Sequence, residues 1–206
     1  MFLFVLDAQA QNKFENNILA FEKSDQSAPP NEKNLIVFTG SSSVVKWKTL
    51  NADFPNKNII NRGFGGSQTS DLIEFVDRVV NVYHPKQVFI YEGDNDLSSG
   101  KSVEQVFTDF KTLFDKIRNV DRKIRISIIG VKPSPSRRRL IPQQQQYNAK
   151  VSDFLKNKKN VDFIDVFNPM IIGKDQFEPK YYVADSLHMT AEGYEVWKKV
   201  IGRYVR

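Results

Sequence analysis

The chain has no cysteine, which excludes disulfides, thiolate zinc sites and a cysteine nucleophile, and leaves the redox compartment open. Histidine is almost as scarce, with only His84 and His188 in 206 residues. Two imidazoles leave little for zinc, and the His-Glu-x-x-His pattern of metalloproteases is absent. No stretch approaches the run of about 20 apolar residues that crosses a bilayer, so no integral membrane segment is expected. Also missing are the Gly-x-Ser-x-Gly elbow of ordinary α/β-hydrolases, the lysine of a phosphate loop and the glycine spacing of a dinucleotide fingerprint. Glu92, Asp94 and Asp96 lack the spacing and the terminal glutamate of an EF-hand. No metal and no other cofactor is expected.

What is present fits one globular domain, with 40% hydrophobic and 26% charged residues and enough length to bury a sizeable core. The net charge is +6, but the basic residues are spread along the chain and Arg137-Arg138-Arg139 is their only dense run. That pattern predicts a solvated basic surface and no nucleic-acid partner. Met1 to Leu6 is apolar and Ala8-Gln9-Ala10 has the small-x-small look of a signal-peptidase site, although a positive leading region is missing. This favours an exported protein, periplasmic or secreted, with a cytoplasmic one as the alternative. Residues 1–34 are expected to form an N-terminal arm, with a helix over Gln11 to Glu22 and a linker through Pro29-Pro30. The domain proper is expected over 35–206.

Within that domain, apolar and β-branched runs predict strands at Leu35 to Phe38, Asn58 to Asn61, Gln87 to Tyr91, Ile124 to Gly130 and Val161 to Val166. Helical periodicity predicts helices over Val44 to Leu50, Asp71 to Tyr83, Val103 to Val120, Gln143 to Asn157 and Ala191 to Tyr204, the last behind Thr190 as its N-cap. Strands alternating with helices imply an α/β fold of parallel βαβ units with helices on both faces.

Ligands of an open parallel sheet bind beyond the carboxyl ends of its strands. Three loops of unusual composition leave such ends: Gly40-Ser41-Ser42-Ser43, the glycine-rich Arg62 to Ser67, and Gly93-Asp94-Asn95-Asp96. Together they hold hydroxyl nucleophiles, free backbone N–H groups and an amide donor. A serine needs a base, and His84 follows a helix on the wrong rim of the sheet. His188 lies three residues after Asp185, a spacing that puts imidazole and carboxylate side by side. The residues alone do not choose among Ser41, Ser42 and Ser43.

With these blocks assembled, the chain resembles the SGNH hydrolases, also called GDSL-type lipases and esterases. The resemblance runs from about Leu35 to the C-terminus. It places the family's Gly-Asp-Ser on Gly40-Ser41-Ser42, so that serine stands at 41 where the family has aspartate. It implies Ser42, Asp185 and His188 as the catalytic residues. It implies an oxyanion hole of Ser42, Gly66 (with Gly65 the near alternative) and Asn95. It also implies a three-layer α/β/α, flavodoxin-like sheet of five parallel strands and metal-free hydrolysis of acyl esters. Trp47, Arg62 and Phe64 are candidates for substrate binding, with the Lys132 to Arg139 loop. Their mixed aromatic and polar character, and the lack of a long apolar lid, favour a short acyl group on a carbohydrate. A lysophospholipase or thioesterase is the alternative within the family, and a non-catalytic glycan-binding domain the alternative outside it. The expected partner is a small-molecule or glycan ester.

Overall fold

A computed structural model describes residues 12–173 and 176–206. The apolar leader and the Ala8-Gln9-Ala10 motif lie outside the described residues. Five strands form a parallel sheet: β1 (Ile36–Gly40), β2 (Ile59–Gly63), β3 (Gln87–Tyr91), β4 (Arg125–Ile129) and β5 (Val161–Ile164). Their order is β2-β1-β3-β4-β5, the flavodoxin-like winding whose direction reverses between β1 and β3. Successive side chains of a strand face opposite sides, and each side here meets helices. Val37, Val88, Ile90 and Ile126 pack with α1 (Glu15–Ser27), α4 (Thr69–Val79), α6 (Val103–Val120) and α7 (Ile141–Leu155). Ile36, Phe38, Phe89 and Tyr91 pack with the short turns α2 (Ser42–Val45) and α3 (Leu50–Asp53) and with α8 (Ala191–Ile201). The architecture is a three-layer α/β/α sandwich.

The helices begin where their caps dictate. Ser102 and Gln105 close a reciprocal capping box on α6, Ser102 Oγ accepting from Gln105 N at 3.2 Å and Gln105 Oε1 from Ser102 N at 2.9 Å. Thr190 Oγ1 accepts from Gly193 N at 3.3 Å and caps α8.

Three features differ from the sequence reading. The first helix starts at Glu15 and runs through Ser27, into the stretch expected as linker. Its extra turns are held by side chains: Asp25 pairs with Arg62 and bonds Tyr83, and Arg78 pairs with both Glu15 and Glu22. The segment expected as one helix from Val44 to Leu50 is instead two single turns, α2 and α3, separated where Trp47 turns into the core. A short helix α5 (Asp94–Ser98) and an antiparallel pair, β6 (Ile171–Gly173) with β7 (Gln176–Phe177), were not anticipated. Both are too short to leave a periodic signal.

Phe14, at the N-cap of α1, and Ile18 within it join the core beneath α4, Phe14 meeting Phe64 edge-on at 5.1 Å. Ile18 is fully buried whereas its neighbour Leu19 is 46% exposed. Ile18→Ala should therefore lower unfolding stability by about 2–4 kcal/mol, and Leu19→Ala by no more than about 0.5 kcal/mol. Urea denaturation reads the two; equal losses would mean that α1 does not dock as described.

Candidate active site

The carboxyl end of β1 is shaped by Gly40. Its φ is +124°, and a Cβ built there would lie 2.2 Å from the Tyr91 carbonyl oxygen on β3, so only glycine fits. Backbone bonds then tie three loops together at this rim. Ser41 N donates to Tyr91 O at 3.1 Å, and Phe64 N donates to Gly40 O at 2.9 Å. Ser41 is extended, and Ser42 opens the single turn α2, with Val44 N and Val45 N returning to Ser41 O. This geometry leaves Ser41 and Ser43 buried and Ser42 half-buried.

Ser42 Oγ lies 3.0 Å from His188 Nε2, and His188 Nδ1 lies 2.6 Å from Asp185 Oδ2. Asp185 Oδ1 also accepts from the backbone N–H groups of Leu187 (2.9 Å) and His188 (2.8 Å). The hydrogen bond from the His188 ring, followed by those backbone donors, holds the Asp185 carboxyl well below the usual carboxylate range. The loop carrying both residues is a tight one, with Ser186 left-handed at φ +57° and Val183 N donating to His188 O at 2.9 Å. His84 is exposed before the amino end of β3, on the opposite rim.

Gly66 and Asn95 converge on one point. Asn95 Nδ2 donates to Ser41 Oγ at 2.6 Å, and Gly66 N donates to the same oxygen at 3.3 Å. Gly66 has φ +88° and open space where a Cβ would stand. The N–H that shares a target with Asn95 is therefore that of Gly66. Gly65 lies against Ser42 instead, a Cβ there being 3.8 Å from the Ser42 Cβ. The second amide hydrogen of Asn95 goes to Ser67 O at 2.9 Å.

The two carboxylates that flank Asn95 are both engaged. Asp94 pairs with Arg137 at 2.6 Å and accepts from Gln144 Nε2 at 3.0 Å. Asp96 accepts from Thr69 N at 3.0 Å and pairs with Lys101 at 2.9 Å, which ties α5 to the start of α4. Glu92 is buried with one oxygen on Ser67 Oγ and the other without a partner among the described residues. Burial pushes its carboxyl well above the usual range.

Three of the sequence-predicted pocket residues, Trp47, Arg62 and Phe64, stand elsewhere. Trp47 is 1% exposed in the core, against Phe38, Phe54, Tyr194 and Trp197, with its indole N–H on Asp53 at 2.7 Å. Phe64 is also buried, between Phe14 and Phe75. The Arg62 guanidinium is spent on Asp25 and Tyr83. An aromatic next to a glycine loop reads the same in sequence whether it faces a ligand or the core, and here the core takes it.

Two residues of the β4–α7 loop reach the site. Lys132 is fully buried and donates to Leu187 O at 2.6 Å, next to His188, and burial pulls its ammonium down to about 8. Arg137 bonds Asn95 Oδ1 at 2.7 Å. The rule that led to the first three loops points equally to this one, since it leaves the carboxyl end of β4. Beside it, a cavity of about 300 Å³ is lined by Pro135, Arg138, Phe177, Tyr182 and Ser186, with the Arg138 guanidinium 4.9 Å from the Phe177 ring centre.

No curated protein matches this sequence. Solved structures of similar shape include a GDSL-like lipase from Bacteroides thetaiotaomicron, at 21% identity and a TM-score of 0.79 over 92% of this chain and 97% of that one. A Bacteroides fragilis protein provisionally described as an acylhydrolase is 21% identical, with a TM-score of 0.81 over 92% of this chain and 95% of that one. A family 3 carbohydrate esterase from Clostridium thermocellum is 19% identical, with a TM-score of 0.64 over 84% and 96%. At such identities these likenesses speak for the fold. Sequence carries the assignment further, because residues 37–196, from inside β1 into α8 and spanning every loop that meets at Ser42, match one family. The chain belongs to the GDSL-like lipase/acylhydrolase family.

Proposed function

We propose that the protein is a serine esterase that removes short acyl groups, acetyl foremost, from a carbohydrate. The observation that carries this reading is the continuous line Asp185–His188–Ser42, at 2.6 and 3.0 Å, beside two donors converging on one point. An ionised Asp185 holds the imidazole with Nδ1–H towards itself and Nε2 open to accept a proton. His188 takes the Ser42 proton as Oγ attacks the ester carbonyl. The resulting oxyanion is met by the N–H groups of Ser42 and Gly66 and by Asn95 Nδ2, each such donor being worth about 3 kcal/mol in the transition state. For that, the carbonyl oxygen replaces Ser41 Oγ as the acceptor of Gly66 and Asn95, the Ser41 hydroxyl turning to another rotamer. His188 then returns its proton to the leaving alcohol, and a water that it activates releases the acid.

The substrate class rests on the cavity beside the His188 loop. Phe177 and Tyr182 give the cavity apolar walls, the exposed Arg138 offers donors to sugar hydroxyls, and about 300 Å³ is little room for a long chain. The carbohydrate esterase among the similar structures supports the same direction.

Four outcomes are expected. Ser42→Ala should lower kcat at least about 1,000-fold and abolish labelling by a fluorophosphonate. Ser41→Ala and Ser43→Ala should keep activity within about tenfold, because neither hydroxyl touches His188; a dead Ser41→Ala beside an active Ser42→Ala would mean that the nucleophile is misassigned. On 4-nitrophenyl esters, kcat/KM should be highest for acetate and fall with chain length, and a maximum at about eight carbons or more would favour a lipid substrate. Because its hydrogen bonds hold the Asp185 carboxyl well below the usual carboxylate range, Asp185 should add no step of its own and log kcat/KM should fall on the acid side with unit slope. A slope of two would show a second essential group titrating there.

A further inference from the structure

Asn95 can serve as an oxyanion donor only if its amide is held one way round. Rotated by half a turn, it would present Oδ1 to the developing negative charge and repel it. The terminal torsion of an asparagine has a broad, roughly two-fold profile, so the side chain alone does not choose. Two contacts choose for it. Ser67 O accepts from Nδ2 at 2.9 Å, and Arg137 Nη2 donates to Oδ1 at 2.7 Å. A flipped amide would set NH₂ against the guanidinium and a carbonyl against the Ser67 carbonyl.

Arg137 is itself fixed. Its other terminal nitrogen pairs with Asp94 Oδ2 at 2.6 Å, the guanidinium being only 12% exposed and its partner 6%. The backbone breaks helical geometry at Arg137, with φ −111° and ψ 22° inside the turn Pro135–Leu140. There Arg137 alone turns inward, while Arg138 and Arg139 stay exposed. The loop that carries it is also tied to the His188 side, through Ser136 N to Ser186 O at 3.1 Å and Lys132 Nζ to Leu187 O at 2.6 Å.

We propose that Arg137 is the positioning residue of the oxyanion hole, orienting the Asn95 amide through its Oδ1 while Asp94 anchors the guanidinium. This rests on the esterase reading above. Two donors in a fixed fork are what the arrangement uses; a lysine at 137 could hold Asp94 or Asn95 but not both in this geometry.

The test is a double-variant cycle on 4-nitrophenyl acetate, with a thermal melt of each protein. Arg137→Ala should lower kcat by about 10- to 100-fold with KM within about threefold, because orientation matters to the transition state more than to substrate binding. Arg137→Lys should lose a comparable factor, whereas Arg139→Ala should change nothing. In an Asn95→Ala background, Arg137→Ala should cost less than about twofold, since nothing remains to orient. Full kcat in Arg137→Ala, or losses that multiply with those of Asn95→Ala, would overturn the assignment. Should Arg137→Ala fail to fold, Arg137→Lys in the same cycle decides, full independence again being the overturning result. A wild-type protein that turns over no ester and takes no fluorophosphonate at Ser42 would overturn the esterase reading first, and this assignment with it.

Discussion

Everything at this rim depends on a missing side chain. At Gly40 the last residue of β1 passes so close to the Tyr91 carbonyl on β3 that no Cβ can be accommodated. The approach occurs at the one place where the strand order reverses, so the loops leaving β1 and β3 would otherwise diverge. Instead Ser41 bonds Tyr91, Phe64 bonds Gly40, and the loops after β1, β2 and β3 become one surface. Ser42, Gly66 and Asn95 come from three distant parts of the chain and share a few ångströms because of that contact.

Bringing loops together also buries their polar groups, and each carboxyl has a different solution. Asp94 and Asp96 pair with Arg137 and Lys101. At Glu92 burial outweighs the hydrogen bond from Ser67 and pushes the carboxyl well above the usual range. Ion pairs of this kind add little net stability against apolar residues of the same size, but breaking one leaves an unpaired buried charge. Such pairs make the rim unforgiving and therefore rigid. Rigidity is what a cluster of preorganised donors needs.

The five strands, their parallel order and the long helices were legible because burial on both faces writes apolar runs and 3.6-residue periods into the chain. The loops that hold Ser42, Gly66, Asn95, Asp185 and His188 stood out because glycine, hydroxyl, amide and the scarce histidine fall at the ends of those elements, whereas the choice of Ser42 among three serines and of Gly66 came from the family resemblance. What the sequence hid was direction. Nothing in the spacing of Trp47 or Phe64 tells whether the ring faces solvent or the core. Nothing in Arg137-Arg138-Arg139 shows that a kink sends the first inward and leaves the others outside. Short elements such as α5 and the β6–β7 pair are equally silent, since they owe their form to partners elsewhere in the fold.

The loop after β4 resolves a difficulty that the other three leave open. Ser42 and the donors are fastened to the sheet, but Asp185 and His188 stand on a segment between β7 and α8 that no sheet strand continues into. A base 1 Å out of place loses most of its effect. Tyr182 OH donates to Pro133 O at 3.0 Å, Ser136 N to Ser186 O at 3.1 Å, and the buried Lys132 to Leu187 O at 2.6 Å, which ties the two segments together. From the same loop Arg137 grips the Asn95 side. His188 and Asn95, though far apart in the chain, are thus referred to one common brace. A distortion of that brace would disturb both together, which makes the proline-rich turn after β4 as much a part of the site as the serine turn after β1.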